Sequence, residues 1–100
     1  MQKYPTKQDK ELIEGFSKLK NEKQIAGFLR DLLTPAEIEE FSSRFQVAKL
    51  LWTTNDSYLD IAQKVNTSTT TITRVSHWLY KEPHQGYAFV LEKMFGKSKR

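Results

Sequence analysis

The 100-residue sequence contains no cysteine, which excludes disulfide bonds and thiolate metal ligands. It also has no glycine-rich phosphate loop and no serine elbow motif with His and Asp partners, so nothing in it predicts an enzyme. Its two histidines, His77 and His84, are separated by Pro83 and lack further close ligands. We therefore expect neither a metal site nor a cofactor.

Long apolar runs are missing as well. No stretch approaches the roughly 20 apolar residues of a membrane span, and the N-terminus has no apolar signal core. We therefore expect a soluble cytoplasmic protein without membrane contact. The formal net charge of +4 is a weak indication of an anionic partner such as nucleic acid.

Apolar residues repeat at helical spacing along most of the chain. The N-terminal half carries three such stripes, within residues 12–19, 25–32 and 38–52. Thr34 can cap the third helix and Glu37 can complete a capping box. No segment alternates convincingly with a period of two, so we predict an all-α fold of about six helices.

The C-terminal part continues this pattern. A last helix is predicted from Gln85 to Phe95, with Gly96 at its end. Residues 97–100 form a basic tail, which is expected to fray. Because no long linker or repeat interrupts the chain, residues 1–100 are predicted to form a single domain.

Residues 57–80 predict a helix-turn-helix. Ser57 and Ser68 are placed to cap two short helices, which are joined by a turn at Asn66 and Thr67. Steeply crossed helices need apolar residues where they touch and a small residue at their closest approach. Five residues fit these inward positions: Ile61, Ala62, Val65, Ile72 and Val75. Asn66 stands where glycine is usual, and asparagine tolerates the left-handed backbone better than most residues.

The threonine run at 69–71 favours a strand by propensity alone. Ser68 before it and the helical spacing of Ile72, Val75 and Leu79 favour a helix instead. We therefore assign the run to the second helix of the helix-turn-helix.

The outward face of this second helix is polar and carries mainly hydroxyl groups. Threonine can hydrogen-bond to bases, and its methyl group can contact the thymine methyl in the major groove. Three threonines are predicted to approach the bases: Thr69, Thr70 and Thr73. Four residues are predicted to position the DNA backbone: Tyr58, Gln63, Ser68 and Arg74. Lys64 and Lys81 lie beside this unit and are candidates for phosphate contacts.

A gapless series of motifs spans residues 33–79. It comprises Leu33-Thr34-Pro35 with Glu37, Arg44 with Val47 and Leu51, Ser57 with Ile61 and Val65, and Thr71-Ile72-Thr73-Arg74 with Ser76 and Leu79. Together these motifs resemble the bacterial tryptophan repressor family. The resemblance implies six helices per chain and sequence-specific binding of duplex DNA for transcriptional repression. It also implies a homodimer in which the N-terminal helices of two chains interlace.

The resemblance bears on an effector pocket too. In the family two arginines sandwich the indole of tryptophan, and Arg44 and Arg74 occupy these positions. Val75 replaces the family's glycine, and Trp78 replaces the serine that binds the amino group of the ligand. The resemblance therefore implies a relative with an altered pocket that has lost tryptophan binding, while another effector stays open. Trp78 either fills the pocket itself, stacked near an arginine, or is an ordinary core aromatic.

A protein-interaction module with the same fold is the alternative function. The predicted recognition face is threonine-rich and nearly neutral, so it offers little attraction to phosphates. Salt dependence separates the two functions, because phosphate binding weakens steeply with added salt.

Overall fold

The computed structural model describes residues 3–81 and 83–100 of the chain. These residues form six α-helices and contain no strand, which confirms the all-α prediction. The helices are α1 (Lys7–Ser17), α2 (Glu22–Leu32), α3 (Pro35–Thr53), α4 (Tyr58–Val65), α5 (Thr69–Tyr80) and α6 (Gly86–Phe95). In this part of the chain, no helix has both the length and the apolar character that are needed to cross a membrane.

The chain divides into two compact units, Met1–Ile38 and Glu39–Arg100. That residues 1–100 form a single domain stays a prediction. The helix-turn-helix and the candidate effector pocket both lie in the second unit. The first unit contains α1, α2 and the start of α3.

Capping boxes begin two of the helices in the first unit. Asp9 N donates to Thr6 Oγ1 at 3.1 Å, and Thr6 N donates to Asp9 Oδ2 at 2.9 Å. The predicted box before α3 is present, since Glu37 N donates to Thr34 Oγ1 at 3.2 Å and Thr34 N donates to Glu37 Oε1 at 2.9 Å. These hydrogen bonds from Thr34 hold the pKa of Glu37 below its usual value.

The apolar stripes of α1 and α2 are only partly buried. The rings of Phe16 and Phe28 meet edge to face, with centroids 5.0 Å apart. No residue of either helix is buried. Five large apolar side chains of these helices remain 37–45% exposed: Leu12, Ile13, Phe16, Ile25 and Leu32. This apolar surface is available to another polypeptide.

The second unit contains a continuous buried core. Four helices contribute to it: Val47, Ala48, Leu51 and Trp52 from α3, Ile61 and Ala62 from α4, Ile72, Val75 and Leu79 from α5, and Leu91 from α6. Four of the five predicted inward residues of the helix-turn-helix are buried in this core, and Val65 packs against it partly buried. The core therefore fixes which face of α5 points outward.

The prediction that the basic tail frays is wrong. Lys99 N donates to the carbonyl oxygen of Trp52 at 2.9 Å, and Arg100 Nε donates to that of Leu51 at 2.7 Å. Both acceptors lie in the last turn of α3, where carbonyl groups have no partner within the helix. Segment 97–100 is therefore held against the protein by backbone acceptors that its own sequence does not reveal.

Candidate nucleic-acid interface

A turn of three residues, 66–68, joins α4 to α5. Asn66 has φ 61° and ψ 54°, the left-handed conformation that the sequence predicts for this position. Thr67 N donates to the carbonyl oxygen of Ala62 at 2.9 Å and closes the C-terminal end of α4. The turn therefore depends on a residue that accepts positive φ.

Asn66→Val is expected to lower the free energy of unfolding by about 1–2 kcal/mol, because a β-branched side chain clashes with the left-handed backbone. Asn66→Gly is the matched control and is expected to leave stability unchanged or slightly higher. Urea unfolding of both variants at one protein concentration measures the difference. Equal stability of the two variants would show that the turn relaxes to another conformation.

Serine side chains cap both helices of this unit, as predicted. Asp60 N donates to Ser57 Oγ at 3.1 Å, and Thr71 N donates to Ser68 Oγ at 3.2 Å. Because each cap fixes where its helix begins, the first turn of α5 starts at Thr69. The threonine run is helical, in agreement with the helical spacing and against its strand propensity.

The two faces of α5 differ sharply in exposure. Ile72 and Val75 are fully buried. Six residues on the opposite face, from the N-cap onward, are exposed: Ser68, Thr69, Thr70, Thr73, Arg74 and His77. Thr73 Oγ1 donates to the carbonyl oxygen of Thr69 at 3.1 Å, so its proton is engaged within the helix while its lone pairs can still accept. The exposed face thus presents hydroxyl and methyl groups.

The residues predicted to position the DNA backbone lie on both helices. Tyr58 OH donates to Ser76 Oγ at 2.8 Å and so links the start of α4 to α5. Gln63 is exposed on α4. Arg74 is exposed on α5 and forms no ion pair with any residue that the structure describes. Its full charge is therefore available to an anion.

The two flanking lysines differ in their surroundings. Lys64 Nζ lies 2.6 Å from Asp56 Oδ2, and this hydrogen bond, together with the negative charge, raises the pKa of Lys64. Lys81 is exposed just after α5. Lys64 is thus partly neutralised within the protein, and Arg74 and Lys81 are the better candidates for phosphate contacts.

All four residues at the family's effector positions line one cavity. The cavity has a volume of about 180 Å³ and is lined by Glu40, Ser43, Arg44, Thr67, Thr71, Arg74, Val75 and Trp78. Val75 is fully buried, and Trp78 packs partly buried against the core. The guanidinium carbon of Arg44 lies 5.4 Å from the centroid of the Trp78 ring, within the range of a cation–π contact.

Arg44 has several other partners around this cavity. Its Nη2 lies 3.1 Å from Glu40 Oε1, and its guanidinium carbon lies 5.3 Å from the centroid of the Phe41 ring. Burial raises the pKa of the Tyr87 hydroxyl, and the charge of Arg44 partly offsets this effect. Arg44 is thus held by neighbouring side chains, unlike Arg74.

No metal-binding cluster accompanies the interface. Across residues 3–81 and 83–100, no three His, Asp or Glu side chains gather as the ligands of a metal ion would. Sequence reasoning missed the contact between Tyr58 and Ser76, which no local pattern indicates because the residues are 18 positions apart. It did select both residues, one as a backbone contact and one as part of a family motif.

A family model and two solved structures of known proteins are similar to this chain over most of its length. The Trp repressor protein family model matches residues 7–95. A solved structure of a TrpR like protein from Eubacterium eligens is 36% identical, with a TM-score of 0.77 over 90% of this chain and 91% of the other. A proposed Trp repressor from Staphylococcus aureus is 32% identical, with a TM-score of 0.76 over 89% and 87% of the two chains. None of the curated proteins matches the chain significantly.

Proposed function

The chain belongs to the Trp repressor family, and we propose that it is a transcriptional repressor that binds a specific sequence of duplex DNA as a homodimer. The family is one of DNA-binding regulators and not of enzymes, in agreement with the sequence-based expectation. A role on DNA also implies a cytoplasmic location.

The observation that carries this proposal is the division of α5 into a buried face and an exposed one. Ile72 and Val75 anchor the helix in the core, while Thr69 and Thr70 at its N-terminal end stay exposed. In a helix-turn-helix these N-terminal residues of the second helix contact base edges in the major groove. Thr69, Thr70 and Thr73 are proposed to make these contacts, with Arg74 and Lys81 on phosphates.

The homodimer is supported by the first unit. Its helices α1 and α2 carry apolar side chains that stay 37–45% exposed in the chain, although the rings of Phe16 and Phe28 meet. A second copy of the chain presents the same stripes, and closed two-fold pairing of identical surfaces is the commonest form of assembly. Two copies also provide two recognition helices, as a palindromic site requires.

We further propose that DNA binding does not require tryptophan. Trp78 lines the cavity together with Arg44 and Arg74, and its ring lies in cation–π range of Arg44. The indole side chain of the protein then occupies space that a free indole would need. The alternative is that Trp78 acts only as a core aromatic, in which case the remaining cavity is free to accept another small effector.

Selection from a randomised duplex pool tests the function, at two salt concentrations and with or without L-tryptophan. We expect a palindromic sequence to be enriched equally with and without tryptophan. Binding is expected to weaken steeply with added salt, because phosphate contacts release counterions. Sedimentation of the free protein in the same buffers measures whether it is a dimer.

Each other outcome has a definite meaning. Enrichment only with tryptophan would contradict the proposed role of Trp78. Failure to enrich any sequence in any of the four conditions, from a folded protein, would favour either an effector that was not supplied or the protein-interaction module. The nearly neutral threonine face and the pairing of Lys64 with Asp56 give the protein-interaction module its support.

A further inference from the structure

The C-terminal end of α3 is capped by residues far along the chain. The carbonyl oxygen of Leu51 accepts from Arg100 Nε at 2.7 Å and from Tyr80 OH at 3.3 Å. The carbonyl oxygen of Trp52 accepts from Lys99 N at 2.9 Å. Helix ends leave such carbonyls without intrahelical partners. A positive charge there also interacts favourably with the negative end of the helix dipole.

Arg100 reaches the start of the helix-turn-helix at the same time. Its Nη2 donates to the carbonyl oxygen of Asp56 at 2.6 Å, while Nε is bonded to Leu51. Asp56 directly precedes the N-cap of α4, and its carboxylate binds Lys64 on the same helix. One guanidinium group therefore joins the last turn of α3 to the loop that leads into α4.

Further contacts fix the segment that carries Arg100. Trp52 Nε1 donates to the carbonyl oxygen of Gly96 at 2.6 Å. The hydroxyls of Tyr80 and Ser98 lie 2.9 Å apart, and the Tyr80 ring stacks on Trp52 with centroids 6.2 Å apart. Tyr80 is the last residue of α5. The segment thus contacts both the start of α4, through Asp56, and the end of α5.

We propose that Arg100 is a positioning residue for DNA binding: by bridging the carbonyls of Leu51 and Asp56 it sets the direction in which α4 and α5 leave the end of α3. This inference rests on the function proposed above. The planar guanidinium provides two N–H donors in a fixed geometry, which a single ammonium group cannot reproduce. The positive charge alone is therefore insufficient for this role.

Three variants test the proposal: Arg100→Ala, Arg100→Lys and, as the matched control, Lys99→Ala. The control removes one positive charge but keeps the backbone N–H that binds Trp52. We expect both Arg100 variants to weaken binding to the duplex enriched from the pool by about tenfold, as the loss of one to two hydrogen bonds implies. The slope of binding against salt is expected to stay unchanged, and the control is expected to bind nearly as the unchanged protein does.

Amide hydrogen exchange in the free protein gives a readout that does not depend on DNA. Thr54 and Asp56 lie in the bridged loop, and their amides donate to the carbonyl of Leu50 and to Thr54 Oγ1. Both amides are expected to exchange faster in the two Arg100 variants, while amides at the middle of α5 keep their protection.

Three results would overturn the proposal. The first is rescue of DNA binding by Arg100→Lys, and the second is an equal loss in Lys99→Ala with a shallower salt slope. Either would mean that segment 97–100 acts through its charge on phosphates. The third is unchanged exchange and unchanged binding in Arg100→Ala. The unchanged protein could also enrich no DNA while the amides of Thr54 and Asp56 still exchange faster in the Arg100 variants. In that case the proposed function is wrong, but Arg100 does hold the loop in place.

Discussion

Ile72→Ala is expected to lower the free energy of unfolding by about 2–5 kcal/mol. Ile72 is fully buried in the core of the second unit, together with residues from α3, α4 and α6. Removing three carbon atoms there loses their transfer free energy and leaves a cavity that the surrounding helices fill only partly. Since α5 is held by this face, the variant is also expected to lose DNA binding.

Thr73→Ala provides the matched control one position along the same helix. Thr73 is exposed, and its hydroxyl donates to the carbonyl oxygen of Thr69 within α5. Such surface substitutions usually change stability by no more than about 0.5 kcal/mol. Urea unfolding followed by circular dichroism compares the two, at one protein concentration because the stability of the proposed dimer would depend on it. Similar losses in both variants would contradict the assignment of buried and exposed faces on α5.

The helix starts could be predicted from sequence because their causes are local. The capping box of Thr34 and Glu37 and the caps at Ser57 and Ser68 each join residues three positions apart. The left-handed turn at Asn66 is local in the same sense, since it follows from the short polar side chain. Features that depend only on residues within one helical turn could therefore be predicted from the sequence.

The two faces of the helix-turn-helix could be predicted because burial follows the helical period. Ile61 and Ile72 are buried, and Thr69, Thr70 and Thr73 on the other face of α5 are exposed. Strand propensity of the threonine run did not prevail, because the cap at Ser68 and the buried apolar positions both favour a helix. Agreement of several local signals made this prediction correct.

The role of the tail could not be predicted, because its partners are backbone carbonyls. Arg100 Nε and its acceptor, the carbonyl oxygen of Leu51, are 49 positions apart. Within a helix, only the carbonyl groups of the last turn lack an intrahelical partner, and the sequence does not show which distant group will bind them. Composition shows only that segment 97–100 is basic, and basic tails usually fray. The contact between Tyr58 and Ser76 escaped for the same reason, since it depends on how α4 crosses α5.

The double variant Thr70→Ala with Thr73→Ala is expected to reduce discrimination between the enriched duplex and random duplex by about a hundredfold to a thousandfold. Each substitution is expected to remove about 1 kcal/mol of base contact, and the proposed homodimer would lose each contact twice. Affinity for random duplex is expected to change little, because phosphate contacts remain. Fluorescence anisotropy with labelled enriched and random duplexes, over a range of salt concentrations, measures both affinities.

Arg74→Ala is a control on the same helix that is expected to remove a phosphate contact and to leave the base contacts in place. Arg74 is exposed and has no ion-pair partner among the residues that the structure describes, so it is free to contact phosphate. Its loss is expected to weaken binding to both duplexes alike and to make the salt slope shallower by about two for the proposed dimer, one for each chain. If the threonine variant instead weakened both duplexes equally, the threonines would not contact bases. If Arg74→Ala left the salt slope unchanged, Arg74 would serve the cavity that it shares with Arg44 and Trp78 and not the DNA backbone.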